Sequence, residues 1–328
     1  MSKKVLIFLV SPHKIWDLDP KYPKLLSERF PELDVVAARD KEESLRHLPE
    51  AEILYGWSLP EKHFPLARCL KWIHIPSAGV EDSLYRALVE SRIRITCSRG
   101  ISSAALADHA FGMVLAFSRG LAVAIRDGST KWIRTHFFDA DPMPVELDGK
   151  TLGILGFGSI GRELARRGRA FGMRVHALKR HRVEEEPLAD RVFSPREMEA
   201  FLASADYLAV TLPLTSETRG ILDEKRLAAM KPTAVLVNIA RGGLVREAAL
   251  IEALQSGRLA GAGLDVFEQE PLPADSPLYR MPNVVLTPHI GGLHPNYLDR
   301  ATSLFIVNLG RYLKGETLLH EVDKKAGY

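Results

Sequence analysis

The chain has 328 residues, 46% hydrophobic and 26% charged, with 44 Lys and Arg against 41 Asp and Glu for a net charge of +3. These ordinary values exclude a disordered chain, a collagen and a coiled coil, and the length implies about two domains. The small basic excess is spread along the chain and calls for neither nucleic acid nor an anionic membrane, and Cys69 and Cys97 alone make neither a disulfide framework nor a four-cysteine zinc site.

The first apolar run, Val5–Val10, is six residues long, too short for a signal-peptide core or a bilayer span, so a cytoplasmic protein is expected. Further strands are predicted at Asp34–Ala38, Ile53–Trp57, Trp72–Pro76 and Ile93–Cys97, with amphipathic stretches at Tyr22–Phe30, Glu42–Leu48 and Val80–Glu90 between them. Short apolar runs alternating with helices are what a buried parallel sheet needs. A long helix opens at Ser102-Ser103 and runs through Ala104–Ser118, with a continuation toward Trp132, before a Pro- and Asp-rich loop from Thr135 to Gly149.

A second series starts at Thr151. Its predicted strands are Leu152–Gly156, Arg174–Leu178, Tyr207–Leu212, Ala234–Ile239, Gly261–Val266 and Val284–Thr287. Its helices are Ile160–Phe171, Pro195–Ser204, Glu224–Met230 and Glu247–Ser256. Six strands suit a doubly wound nucleotide fold. A last amphipathic helix, Tyr297–Leu313, lies beyond the series and is expected to return to the first domain, making that domain discontinuous.

Gly156-Phe157-Gly158-Ser159-Ile160-Gly161 matches G-x-G-x-x-G, follows an apolar strand and opens a helix. The first glycine allows a tight turn, the second lets backbone approach a pyrophosphate, and the third lets helix pack on strand. Free N–H groups at the helix start, those of Ser159 and Ile160 among them, then hold the anion. An NAD site places Asp or Glu near the end of the next strand to accept from the ribose 2′-hydroxyl. Here that strand ends in Lys179-Arg180-His181-Arg182, and the first acids, Glu184–Glu186, come later. Lys and Arg pair with a 2′-phosphate, so NADP(H) is favoured over NAD(H); a merely solvated basic loop is the alternative.

Three polar residues fall at strand ends in the second series: Arg241 before Gly242-Gly243, Glu270 before Pro271, and His289 before Ile290-Gly291-Gly292. Carboxyl ends of strands in open α/β sheets are where ligands bind. The trio suits carbonyl–alcohol interconversion. His donates the proton, a carboxylate beside it favours the imidazolium, and Arg pairs with a substrate carboxylate while polarising the neighbouring carbonyl. No zincin, nucleophile-elbow, C-x-x-C or Walker motif competes, and His74 and His109 stand isolated, as packing or turn residues.

Four blocks, Gly149–Gly156 into the glycine loop, Val237–Gly243, Gly263–Leu272 and Thr287–Gly292, together resemble the D-isomer-specific 2-hydroxyacid dehydrogenases of the glyoxylate/hydroxypyruvate reductase type. The first domain shares the resemblance at Lys71–Pro76, running into Ser77-Ala78-Gly79-Val80. The resemblance implies a Rossmann-type sheet with a smaller flavodoxin-like substrate domain and a homodimer. It also implies that the backbone of Ala78, Gly79 and Val80 holds the substrate carboxylate. By resemblance, Arg241 would bind carboxylate and carbonyl, His289 would be the general acid/base that Glu270 orients, and Asp265 would hold the nicotinamide carboxamide. Leu212, Pro213, Ala240 and Gly291 join the cofactor set by the same resemblance. Two departures stand out: the missing ribose acid, and Leu293-His294-Pro295-Asn296-Tyr297 in place of a Thr- and Glu-containing continuation.

The expected architecture is a substrate domain of about Met1–Arg99 plus Leu293–Tyr328, a cofactor domain of about Gly100–Gly292, and a crevice between them. The expected activity is reduction of a short 2-oxoacid, such as glyoxylate or hydroxypyruvate, with NADPH and no metal. A nucleotide-sensing binding protein of the corepressor type and a formate- or phosphite-type dehydrogenase are the alternatives.

Overall fold

The structure, a computed structural model, describes residues 2–11, 13, 16–128, 132–138, 143–180 and 186–328. In chain order the first stretch carries β1 (Lys3–Phe8), α1 (Lys21–Arg29), β2 (Leu33–Ala37), α2 (Lys41–His47), β3 (Ala51–Gly56), β4 (Trp72–Ile75), α3 (Arg86–Glu90) and β5 (Arg94–Cys97). Then come α4 (Ser103–Ser118), α5 (Leu121–Asp127), β6 (Thr151–Leu155), α6 (Ser159–Ala170), β7 (Arg174–Leu178), β8 (Arg191–Phe193), α7 (Met198–Ser204) and β9 (Tyr207–Val210). The series closes with α8 (Glu224–Ala228), β10 (Val235–Asn238), α9 (Glu247–Gln255), β11 (Gly261–Leu264), β12 (Val284–Leu286) and α10 (Tyr297–Leu313).

The chain divides into two compact units, Met1–Ser102 with His294–Tyr328, and Ser103–Leu293. The first unit is built on a parallel sheet of order β2-β1-β3-β4-β5, the flavodoxin order, whose strand direction reverses its walk between β1 and β3. Its β3 and β4 cores are buried almost throughout, as parallel strands covered on both faces require. One face of this sheet is covered by α10: Phe305 is fully buried, stacked on Tyr55 at 4.4 Å between centroids and tilted against Trp72 at 5.3 Å. His74 on β4 is fully buried too. Its ring nitrogens meet the hydroxyls of Thr96 at 2.7 Å and Ser98 at 3.1 Å, so it is a satisfied core histidine, and burial pushes its pKa down to about 3.

The second unit is a seven-stranded parallel sheet of order β12-β11-β10-β9-β6-β7-β8. Counted from β6 this is the doubly wound 3-2-1-4-5-6 order with a seventh strand added beyond the sixth. The chain changes direction at β6, between β7 and β9, and the glycine loop leaves the carboxyl end of that strand.

Three elements differ from expectation. The unexpected strand is β8, three residues paired with β7 alone at the sheet edge, too short to show a period. The stretch Val80–Glu90 forms a 3-10 turn at Glu81–Ser83 and the five-residue α3, since Tyr85 between them is extended. The long helix stops at Ser118: Gly120 takes a left-handed φ of 65°, and α5 leaves bent by 75°. Residues 129–131 and the loop positions 139–142, Pro142 included, lie outside the described residues. Among the described residues no single helix is long and apolar enough to cross a membrane.

Candidate active site

The glycine loop has the shape of a dinucleotide cradle. Gly156 turns with φ of 102°, and a Cβ there would stand 2.9 Å from the Leu212 nitrogen, in the loop of Leu212 and Pro213 that follows β9. Gly161 lies so close to β6 that a Cβ would come within 2.7 Å of the Gly156 carbonyl oxygen. At Gly158 a Cβ would meet nothing within 4 Å. Gly158 and Ser159 are exposed, Ile160 half-buried, and no side chain caps the start of α6. An open face with unsatisfied helix-start N–H groups fits a pyrophosphate.

The end of β7 departs from the expected basic run. Lys179 donates to Glu186 Oε2 at 3.0 Å, and Arg162 grips the same carboxylate with both terminal nitrogens, one of them at 2.8 Å from Oε2. The Glu186 side chain is 1% exposed. Burial alone would raise its pKa, but the hydrogen bonds and charges of Lys179 and Arg162 outweigh that and hold it below the ordinary carboxylate range. An acid does therefore stand at this strand end; it arrives from later in the chain, which is why the residues directly after β7 did not show it. Arg180 pairs with Glu217 at 2.6 Å on the surface. His181, Arg182, Glu184 and Glu185 lie outside the described residues.

Three loops at the carboxyl ends of β10, β11 and β12 carry the polar trio. Asn238, buried at the end of β10, accepts from the Ala240 N–H at 3.1 Å and donates to the Arg241 carbonyl at 3.0 Å, so one side chain shapes the turn that presents Arg241. Arg241 has an extended backbone and donates from Nη1 to the Ala240 carbonyl at 2.7 Å; Ala240 itself is buried. A Cβ on Gly242 would overlap the Phe267 carbonyl group, so glycine lets the Arg241 loop lie against the loop of Glu270. Glu270 accepts from the Phe267 N–H at 3.0 Å on Oε1 and faces His289 Nδ1 with Oε2 at 2.7 Å. The two side chains are 36% and 49% exposed, open to a ligand.

His289 sits at φ of 54°, in the left-handed region. Its loop is fixed from below by Asp265. That carboxylate accepts from the Thr287 hydroxyl at 2.6 Å, the Ile290 N–H at 2.9 Å and the Gly291 N–H at 2.9 Å, while the Asp265 carbonyl accepts from the His289 N–H at 2.9 Å. Burial alone would raise the Asp265 pKa; the hydrogen bonds from His109, Thr287, Gly291 and Ile290 outweigh it and lower it. The side chain expected to hold the nicotinamide carboxamide is thus enclosed within the loop that carries His289, 1% exposed.

In the first unit, Ala78 and Gly79 lie on the loop after β4, which Ser77 ties by donating to the Gly79 carbonyl at 2.7 Å, and Val80 is buried. Among the described residues the N–H groups of Ala78, Gly79 and Val80 have no hydrogen-bond acceptor.

Comparison with known proteins agrees with these features. Residues 111–291 match the sequence profile of the D-isomer specific 2-hydroxyacid dehydrogenase NAD binding domain. A glyoxylate reductase of Thermococcus litoralis is 35% identical over 323 residues, spanning 95% of this chain and 90% of that protein. The chain belongs to the D-isomer specific 2-hydroxyacid dehydrogenase family.

Solved structures agree in fold. The Xanthobacter autotrophicus dehydrogenase, crystallised with NADPH and MES, superposes with a TM-score of 0.80 at 30% identity, covering 99% of both chains. The NADPH-dependent glyoxylate/hydroxypyruvate reductase of Sinorhizobium meliloti, in complex with NADP and sulfate, gives 0.81 at 27% identity over 99% and 100%. The protein is therefore an NAD(P)-dependent oxidoreductase interconverting 2-oxoacids and 2-hydroxyacids.

Sequence reasoning missed three supports of this dehydrogenase site. Asn238 carried a usable signal, a polar residue closing a buried apolar strand. Glu186 shows in the sequence only among the first acids after the strand, Glu184–Glu186, coming later than a ribose acid should, and His109 carried no signal. His109 was expected as an isolated packing or turn residue, yet from α4 its Nε2 meets the Thr287 hydroxyl at 2.8 Å and lies 3.4 Å from Asp265.

Proposed function

We propose that this dehydrogenase reduces a short 2-oxoacid, glyoxylate or hydroxypyruvate, to the D-2-hydroxyacid with NADPH. The observation that carries the reading is the 2.7 Å pair of His289 and Glu270, open to a ligand at the carboxyl edge of a doubly wound sheet. A bound nicotinamide supplies the hydride. Glu270 holds the Nδ1–H of His289, which leaves Nε2 as the atom that gives a proton to the substrate oxygen. Arg241 pairs with the substrate carboxylate and polarises the carbonyl beside it. In the first unit the N–H groups of Ala78, Gly79 and Val80 are the proposed donors to the carboxylate.

The dinucleotide is assigned to the glycine loop, with Ser159, Ile160 and Gly161 at the pyrophosphate, and Leu212, Pro213, Ala240 and Gly291 lining the remainder. Arg180 is the proposed partner of the 2′-phosphate. Its pair with Glu217 is exposed on both sides, 48% and 72%, and such pairs contribute little, so the guanidinium can turn to a phosphate. One charge-assisted bond of about 1.5 kcal/mol corresponds to roughly tenfold in affinity. The relatives named glyoxylate reductases and the NADP-bound neighbours support the same choice.

Steady-state kinetics over a panel of 2-oxoacids with NADPH and NADH tests the reading. Turnover of glyoxylate or hydroxypyruvate, with kcat/KM at least about tenfold higher for NADPH, is expected. Equal use of both cofactors removes the NADP assignment. Faster turnover of a long or branched 2-oxoacid removes the short-substrate assignment.

We also propose that the enzyme pairs with a second copy through the second unit. The apolar side chains of Leu121, Ile125, Trp132, Phe138 and Met143 are exposed along and after α5, Ile125 at 75% and Trp132 at 87%. Exposed apolar residues gathered in one chain region mark an association surface.

A further inference from the structure

Of the two described cations at the end of β7, Lys179 and Arg180, one is loosely held. Lys179 is 16% exposed and bonded to a carboxylate that is 1% exposed, whereas the Arg180–Glu217 pair is open to water. Pulling Lys179 away would leave part of a buried charge uncompensated, which is strongly unfavourable, while releasing Arg180 from an exposed pair costs little. The buried group also stands beside the phosphate loop. The Arg162 guanidinium lies 5.5 Å and the Lys179 ammonium 5.9 Å from the ring centre of Phe157, between the first two glycines of the motif.

We propose that Glu186 is a specificity-determining residue for the dinucleotide: its buried carboxylate takes up the charge of Lys179 and Arg162, so that Arg180 rather than Lys179 answers a 2′-phosphate. The inference rests on the assignment of a nicotinamide dinucleotide to the glycine loop. Two cations and one anion sum to a single positive charge, and that anion repels a phosphate approaching Lys179. Glu186 therefore limits the preference for NADPH by withholding the contact of Lys179. It acts through its neighbours, without itself touching the cofactor.

The test is a binding measurement on the intact enzyme. Calorimetric dissociation constants are taken for adenosine 2′,5′-bisphosphate and for 5′-AMP, and their ratio reads the 2′-phosphate alone. Glu186→Gln keeps the side-chain size and removes the charge, and the ratio should shift toward the bisphosphate by about tenfold, the worth of one further charged contact. Lys179→Met alone should cost less of the ratio than Arg180→Ala, and added to Glu186→Gln it should abolish the gain. An unchanged ratio in folded Glu186→Gln protein overturns the proposal. So does a Lys179→Met loss equal to that of Arg180→Ala, a comparison that decides the matter even where Glu186→Gln does not fold. Failure of the native protein to bind either nucleotide would overturn the dinucleotide assignment as well; binding with an unmoved ratio overturns only the role of Glu186.

Discussion

The His289 imidazole and the Arg241 guanidinium reach the same sheet edge from loops 48 residues apart, and the proposed mechanism gives each a separable task. With His289 as the proposed proton donor, His289→Ala should lower kcat about 10²–10⁴-fold, the scale of general acid–base catalysis, with dinucleotide affinity little changed. Stopped assays beside nucleotide titration check both numbers, and an unchanged kcat in folded protein would strip His289 of its role. Arg241→Lys keeps the charge but loses the planar fork, so kcat/KM for the 2-oxoacid should fall about tenfold or more while nucleotide binding holds. Equal losses in both would mark Arg241 as a residue of the loop's folding. The placement of Arg241, Glu270 and His289 at the sheet edge was legible in the sequence because each follows an apolar run that ends there. Their supports were not. Thr287 and His109 are 178 residues apart, and Glu186 pairs with Lys179 from seven residues further on, and no spacing rule sees a side-chain pair that only the fold creates.

At the scale of elements, the turn from β6 into α6 separates binding from stability. A methyl on Gly158 enters open space, so Gly158→Ala should alter unfolding free energy by no more than about 0.5 kcal/mol yet weaken dinucleotide binding, because the space it fills is the one assigned to the phosphates. Gly161→Ala sets a methyl 2.7 Å from a backbone oxygen that cannot move aside, and should destabilise the second unit by about 1–3 kcal/mol. Denaturant melts and calorimetry on the two variants check the contrast; like effects would place both glycines in packing alone. The buried strands and the last helix were readable from apolar runs, with Tyr297–Leu313 found at its full length. The edge strand Arg191–Phe193 was hidden because three residues with one neighbour carry no pattern. The stop at Gly120 was hidden because Leu121–Asp127 continues the apolar composition of the helix before it.

For the whole molecule, acid stability follows from His74. Its folded pKa, about 3, lies below the 6.5 of an exposed imidazole, so the unfolded chain binds the extra proton. The stabilisation is complete above about pH 6.5 and is lost as pH falls toward 3, at about 1.4 kcal/mol per unit. Thermal melts of the first unit between pH 7 and 5 should show this slope, and His74→Gln should flatten it; an equal slope in the variant would shift the effect to His294 and His320, whose pKa values burial also lowers. Replacing Ile125 by Glu puts a charge on the exposed apolar face and should convert the proposed dimer to monomer in light scattering, while a native protein already monomeric would dismiss that face as an interface. The return of α10 to the first unit has a further consequence during synthesis. Phe305, Ile306, Leu309 and Leu318 complete the core that Val5, Ile7, Leu26 and Tyr55 begin. Strands β1 to β5 must therefore wait, partly uncovered, until α10 leaves the ribosome, whereas Ser103–Leu293 can close on itself beforehand. Of the two units, the one begun first is thus the one that finishes folding second, and that interval is when it most needs a chaperone.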